Sequence, residues 1–248
     1  MPAEGAVCRG GRVDRPVDEF SLIETLRYEP GLGFLRLKLH LARLQRSARR
    51  LGFAAPEQVE AALDAAVCDA PSPQRVRLTM NRTGSVTVTT AGFVPLAADV
   101  TWRVRIAATR LDSSNKLLRA KTTRRGVYDR ARAEFSPDEA DEVLLLNEKG
   151  DVCEGTITSV FIEDGSGMLL TPPIACGLLA GVLRSELICT RKARTSRLTL
   201  ADVDRGKLFV GNSLRGLIPA VLVSDWLGHA FQLVAAGPLG DVKCRICP

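Results

Sequence analysis

The sequence predicts an α+β fold built as two α/β lobes, and three observations carry that expectation. Helical and strand-like apolar spacings alternate along the 248 residues, with neither period dominating. RVRLTMNRTGSVTVTTAGF, residues 75–93, alternates Val, Thr and Leu around Arg82-Thr83-Gly84, as a hairpin does. LDSSN, residues 111–115, is polar and turn-forming, so the chain is expected to divide near residue 110 into a smaller lobe, 1–110, and a larger one, 111–248.

The elements follow in order. FSLIETLRY, residues 20–28, alternates imperfectly and reads as a strand; Gly31 and Gly33 then make a turn. From residue 35 to 51 the later apolar positions, 44, 48 and 51, fall at helical spacing, and Gly52 stops the helix. A second short helix covers residues 56–67, the hairpin follows, and residues 100–109 continue the strand pattern of the first half. Beyond the division come a helix over 126–135, a strand over 142–147, a turn at 148–151, a strand over 156–164, a GSG turn and the strand MLLTPP. GLLAGVLRSELI, residues 177–188, reads as a loop running into a helix, and residues 207–223 as strand, loop, strand.

Composition sets bounds on function. The chain can bury a substantial core without metal or disulfide staples, and its hydrophobic fraction of 46% with 25% charged residues is that of a globular protein. No apolar run reaches the length of a bilayer span and the N-terminal stretch lacks the apolar core of a secretory signal, so a cytoplasmic protein is expected. Seven scattered cysteines with a single C-x-x-C, Cys244 to Cys247, and only two histidines argue for reduced thiols and against a zinc site. The net charge of +6 admits nucleic acid, an anionic membrane surface or small anionic substrates, but aromatics at 5% do not interleave with the basic residues, which weakens a single-strand-binding platform.

Four stretches could carry chemistry. RAKTTRRGVYDR, residues 119–130, sets Lys121 among arginines, and an amine becomes reactive when burial and neighbouring positive charge favour its neutral form. Alone, the stretch fits a solvated basic face better. Glu154, in DVCEGTITSVF, would project from a strand start toward whatever lies above the sheet, and if buried it needs a cationic partner; an exposed turn glutamate fits equally well. CGLLAGVLR, residues 176–184, opens a helix whose first N–H groups suit a phosphate, although capping or packing explains such a loop more often. GNSLRG, residues 211–216, could offer Asn212, Ser213 and nearby amides to a second phosphate edge, or be a simple turn. His40 and His229 stand alone, His40 reading as a packing or surface residue of its helix, and there is no Walker lysine loop, G-x-S-x-G elbow or G-x-G-x-x-G after a strand.

Taken together and in order, IETLR (23–27), HLARLQRSARRLGF (40–53), KTTRRGVYDRAR (121–132), DVCEGTITSVF (151–161), TPPIACGLLAGVLR (171–184) and GNSLRGLIPA (211–220) resemble the class IV aminotransferase family, the fold type IV enzymes that use pyridoxal 5'-phosphate. The KTTRR and GNSLRG forms are most similar to its aminodeoxychorismate lyase branch, including lyase-like domains fused to aminodeoxychorismate synthase. The resemblance implies that Lys121 bonds the cofactor's carbonyl carbon and shuttles protons once displaced. It implies that Glu154 pairs with the pyridinium nitrogen, that Leu179 packs on the ring, and that Arg43, Ser213 and the backbone amides of Val182 and Leu183 hold the phosphate. The larger lobe becomes the cofactor-binding one.

Four departures stand out. Leu183 replaces the family's usual threonine, Ser159 the common asparagine, and Gly126 a tyrosine five residues after the lysine, with Tyr128 as a substitute. The usual D-R-x-x-x-x-G-D-G lead into the IETLR strand is missing. The implied activity is conversion of 4-amino-4-deoxychorismate to 4-aminobenzoate and pyruvate, in a homodimer with a possible aminodeoxychorismate synthase partner. Arg27, Arg124, Tyr128, Asn212 and Arg215 are the candidates to meet the substrate. The alternatives are a transaminase of branched-chain or D-amino acids and, from another class, a cofactor-free binding protein such as a basic nucleic-acid binder.

Overall fold

The computed structural model describes residues 20–223. The first sheet has four antiparallel strands in the order β2-β1-β3-β4, with β1 at Leu22–Glu29, β2 at Gly33–Phe34, β3 at Gln74–Met80 and β4 at Val86–Gly92. Helices α1 (Leu37–Leu51) and α2 (Val59–Val67) cover one face. Strand alternation divides the sheet: Leu22, Leu26, Val76, Leu78 and Met80 pack with Leu44, Ala48 and Leu63 of the helices, while Ile23, Thr25, Arg75 and Arg77 point to the opposite side. That opposite side faces the second lobe and walls the cavity described below.

The second sheet has eight strands in the order β10-β9-β8-β11-β12-β5-β6-β7. Its strands are β5 (Trp102–Leu111), β6 (Glu142–Asn147), β7 (Val152–Gly155), β8 (Ser159–Glu163), β9 (Leu169–Thr171), β10 (Ala193–Thr195), β11 (Lys207–Asn212) and β12 (Gly216–Leu222). Because β7 returns to pair with β8, the six strands β8-β11-β12-β5-β6-β7 close on themselves. Around them lie α3 (Gly126–Ala133), α4 (Val182–Cys189) and α5 (Leu200–Arg205). EVLLLN of β6 is buried along its whole length, as a strand covered on both faces must be.

Several expectations hold, with physical causes visible. The hairpin forms as read, its turn held by Asn81, whose Oδ1 accepts from the Thr83 and Ser85 amides. Gly52 ends α1 in the left-handed conformation, its N–H returning to the Ala48 carbonyl. The helix begins two residues later than expected because Arg36 is itself left-handed, at φ 59°.

Other expectations need correction. The strand expected over 100–109 is β5, but it pairs in parallel with β6 and β12 and so belongs to the second sheet. The chain therefore changes sheets between β4 and β5, ahead of the division expected near residue 110. The single strand expected over 156–164 is a turn followed by β8, with β7 before it; the side chain of the fully buried Glu142 captures the Thr156 and Ile157 amides and the Thr156 and Thr158 hydroxyls and bends the chain there. The two-residue β2, β10 and α5 were not anticipated, although Thr199 and Asp202 form a capping box at the start of α5. His229, Cys8, Cys244 and Cys247 lie outside the described residues.

Candidate active site

A cavity of about 550 Å³ lies between the two sheets. The segment that brings Lys121 into it is docked on the first sheet: the Ile23 amide donates to the Lys121 carbonyl at 2.9 Å, and the Thr123 amide to the Ser21 carbonyl at 2.9 Å. Lys121 thus leaves a short 3-10 turn (Lys116–Arg119) and enters the cavity from the seam between the lobes. Burial, then the positive charge of Arg43, pushes its ammonium down to about 8, against the opposing pull of Glu24 and Glu154. The amine is accessible in its neutral, nucleophilic form near neutral pH.

Glu154 sits on β7 at the register partner of Ser159, 5% exposed. Its Oε1 accepts from the Tyr128 hydroxyl at 2.7 Å, and both oxygens accept from the Leu179 amide at 3.2 Å. Neither donor carries a charge. Burial pushes the carboxyl up to about 7, although those bonds and the more distant Lys121 and Arg125 favour its ionised form. A buried carboxylate with only neutral donors is short of one cationic partner.

At the other end of the cavity, side chains from three elements converge. Arg43 of α1 donates from Nε to Glu24 Oε1 at 2.8 Å, from Nη2 to Glu24 Oε2 at 2.5 Å and from Nη1 to the Ala180 carbonyl at 3.2 Å. A guanidinium has five N–H donors, so one on each Nη is left for a ligand. His40, one turn before Arg43 on the same helix, lies with Nδ1 at 2.7 Å from Glu24 Oε2 and Nε2 at 2.8 Å from Ser213 Oγ. Burial alone would raise Glu24, but the charge and hydrogen bonds of Arg43, with His40, hold it at about 2. Burial, with the nearby charges of Arg43 and Lys121, pushes the His40 imidazole below its usual value in spite of Glu24. Arg36 fastens the walls together, bonding Glu186 of α4 at 2.6 Å and the Ser213 carbonyl at 3.2 Å.

Helix α4 opens toward this end. Its N-cap is Gly181, which supplies no side-chain cap, so the first amides, those of Val182 and Leu183, are not capped from within the helix. A side chain could not replace the glycine cheaply, because a Cβ there would stand 2.5 Å from Ser159 Oγ. The Leu183 side chain is buried with Phe161 and Leu187, so the residue that departs from the family's threonine fills core.

The structure therefore brings Lys121, Arg43, Glu154, Leu179, Val182, Leu183 and Ser213 around one cavity. The substrate candidates fare differently. Arg215 and Arg124 line the cavity, Arg215 half-buried. Arg27 does not: it pairs with Glu29 and lies over the Phe93 ring at 5.0 Å, farther along β1. Asn212 lines the cavity but is committed as a turn former, its Oδ1 accepting from the Leu214 and Arg215 amides and its Nδ2 donating to the Ile157 carbonyl. Tyr128 is committed to Glu154. Sequence reasoning missed Glu24, His40, Arg75 and Arg77. The alternation of β1 and β3 could have placed the two arginines on one face; nothing local marks Glu24 or His40 as partners.

The residues fit pyridoxal 5'-phosphate on two independent grounds: a buried carboxylate that lacks a cation, matching a protonated ring nitrogen, and a group of arginine and amide donors matching a phosphate. A two-lobed fold with a largely buried lysine and a buried carboxylate lining one such cavity is of the pyridoxal-phosphate kind. The family model for amino-transferase class IV matches residues 21–223, and the chain belongs to that family. It is 32% identical over 218 residues, 84% of this chain and 91% of the other, to a provisionally assigned aminodeoxychorismate lyase of Schizosaccharomyces pombe. It is 52% identical to a provisionally assigned amino-acid aminotransferase of Mesorhizobium loti whose crystal structure superposes with a TM-score of 0.80, covering 82% of this chain and 100% of that one. The fold is shared as well with a provisionally assigned Mycobacterium tuberculosis aminotransferase in its pyridoxal-phosphate-bound form, 20% identical, TM-score 0.71, covering 86% and 87% of the two chains. The protein is a pyridoxal-phosphate-dependent enzyme, which sets aside the cofactor-free binding protein. Among the described residues no helix is long and apolar enough to cross a membrane.

Proposed function

We propose that the chain is a lyase converting 4-amino-4-deoxychorismate into 4-aminobenzoate and pyruvate. The observation that carries this reading is the charge of the cavity away from Glu24. Arg75, Arg77, Arg124, Arg125 and Arg215 line it, and Glu154 is the one acidic residue of the lining among the described residues. Arg215 is close enough to Arg75 for the like charge, after burial, to lower its pKa. Such a wall suits a substrate bearing two carboxylates. A branched-chain substrate would offer this wall one carboxylate where aminodeoxychorismate offers two.

In this reading Arg43, Ser213 and the Val182 and Leu183 amides hold the cofactor's phosphate, Leu179 packs on the ring, and Glu154 keeps its nitrogen protonated. The cofactor, when bound, supplies the sink for the electrons left by deprotonation. Lys121, freed as an amine, takes the proton from the ring carbon that bears the substrate's amino group. The bond between ring and enolpyruvyl oxygen breaks with its electron pair on oxygen, Lys121 returns the proton to that oxygen, and the ring becomes aromatic; no oxidant is required. Arg215, Arg75 and Arg124 orient the two carboxylates. The enzyme is further expected to act as a cytoplasmic homodimer supplied by aminodeoxychorismate synthase.

The 52% identity to the Mesorhizobium loti aminotransferase favours a second reading, transamination at the same site. Both begin with displacement of Lys121 by a substrate amine. The test is to supply the holoenzyme with aminodeoxychorismate and measure 4-aminobenzoate and pyruvate, alongside keto-acid-dependent turnover of branched-chain and D-amino acids. Equimolar 4-aminobenzoate and pyruvate support the lyase; rapid transamination with no pyruvate release from aminodeoxychorismate rejects it.

A further inference from the structure

Ser213 has one proton to donate, and the charge state and tautomer of His40 decide where that proton points. Glu24 is ionised and its Oε2 lies 2.7 Å from His40 Nδ1, so the imidazole N–H is on Nδ1. The groups facing the ring are Glu24 from β1, Arg43 from the same helix and Lys121 from the segment docked on β1. Ser213 faces it from the loop between β11 and β12, and Glu186 of α4 is occupied by Arg36. With burial, the two cations keep the imidazole neutral. Its Nε2 then bears a lone pair, and the Ser213 hydroxyl, 2.8 Å away, donates to it. Ser213 Oγ offers the cavity only lone pairs, which repel a phosphate dianion.

We infer that His40 is a positioning residue for Ser213, taking up a proton when a phosphate dianion binds and so turning the serine hydroxyl round to donate to the phosphate. The inference rests on the reading of Ser213 as a phosphate ligand. The alternative, turning the hydroxyl with His40 neutral, would leave the lone pairs of Nε2 and Oγ facing each other at 2.8 Å in a buried site. A protonated Nε2 donates to Oγ, which in turn donates to the phosphate. The imidazolium lies between Glu24 and the bound dianion, two negative groups that stabilise it. Every polar atom in the chain from Arg43 through Glu24, His40 and Ser213 to the phosphate is then satisfied.

The test uses pyridoxamine 5'-phosphate, whose amine cannot bond to Lys121, binding to the cofactor-free full chain at pH 8 in buffers of different ionisation enthalpy. Wild type should take up close to one proton more than His40→Gln. Its affinity should fall about tenfold per pH unit above neutrality relative to that variant, the linkage expected for one proton. The phosphorus resonance of the bound ligand should remain that of a dianion, and the ¹⁵N resonances of His40 should change from neutral imidazole to imidazolium. The second histidine, His229, is assigned with a His229→Gln variant. The nitrogen measurement is made on wild type and stands even if His40→Gln fails to fold. Equal proton uptake in wild type and variant, a neutral His40 in the complex, or a protonated bound phosphate overturns the inference. Ser213→Ala separates the two layers: if it leaves the affinity advantage over phosphate-free pyridoxamine unchanged, the assignment of Ser213 to the phosphate fails, whatever His40 does.

Discussion

Glu154 lines the cavity and Glu24 lies behind the Arg43 and His40 side chains that line it; the two are 5% and 2% exposed, and burial acts on both in the same direction. Glu24 is nevertheless held at about 2 and Glu154 rises to about 7. The difference is in their partners. Glu24 takes three charge-assisted or polar bonds from Arg43 and His40 of α1, all within the protein. Glu154 takes bonds only from a phenol and a backbone amide. One carboxylate is complete without a ligand and builds the wall behind Arg43 and His40; the other lacks a charged partner. Paired burial makes architecture, and unpaired burial makes a binding site.

The largest break is at the ring end. Lys121→Ala should lower pyruvate release, or transamination, by roughly 10³-fold or more, since in the proposed reaction both proton transfers use this amine. Steady-state assay of the purified variant with added cofactor measures it, and near-normal turnover would show that another base does the work. Exchanging charge at the two glutamates should sharpen the contrast. Glu24→Gln leaves Arg43 with an uncompensated buried charge and should cost about 3–5 kcal/mol of stability in urea unfolding. Glu154→Gln should keep the fold yet lower activity by about 10²-fold, because the ring nitrogen loses its charged partner. If the two variants are equally destabilised, the division between wall and binding site is wrong.

The pH dependence has opposite signs at the two glutamates. Glu24, depressed from 4.5 to about 2, contributes stability that is fully present above pH 4.5 and is lost as pH falls toward 2. Glu154, raised from 4.5 to about 7, favours the cofactor-free fold below pH 4.5, and that contribution is lost as pH rises to 7, an effect on the order of 3 kcal/mol. Cofactor-free Glu154→Gln should therefore gain on wild type between pH 5 and 8 in urea midpoints; parallel curves would refute the assignment. The smallest effects belong to the mouth: Arg215→Ala or Arg75→Ala should each raise KM for a dicarboxylate amine about tenfold with kcat little changed, the loss of one charge-assisted bond. No change in KM for either would remove the argument for two carboxylates.

Much of this was legible in the chain. Periods of 2 and 3.6 located α1, the 75–93 hairpin and β6, and Gly52 marked its helix end, because these depend on neighbours a few residues away. Lys121, Glu154, Arg43 and Ser213 were singled out together through the family resemblance that the order of their segments carries, and all four line the cavity. Two candidates are otherwise occupied: Arg27 pairs with Glu29 outside the cavity lining, and Asn212, within the lining, caps a turn. The place of β5 was missed because a parallel pairing with β12 joins residues more than a hundred positions apart.

The sequence by itself determined most element types, through local period, and the resemblance of its ordered motifs to the class IV aminotransferase family implied the cofactor class and the residues able to hold it. Only the tertiary structure decided that His40 stands between Glu24 and a serine 173 residues away, that Arg75 and Arg77 share a wall with Arg215, and that Glu154 lacks a cation. Hydrogen-bond direction and the charge state of a buried group depend on which distant side chains fill the space around it, and chain order does not specify those contacts.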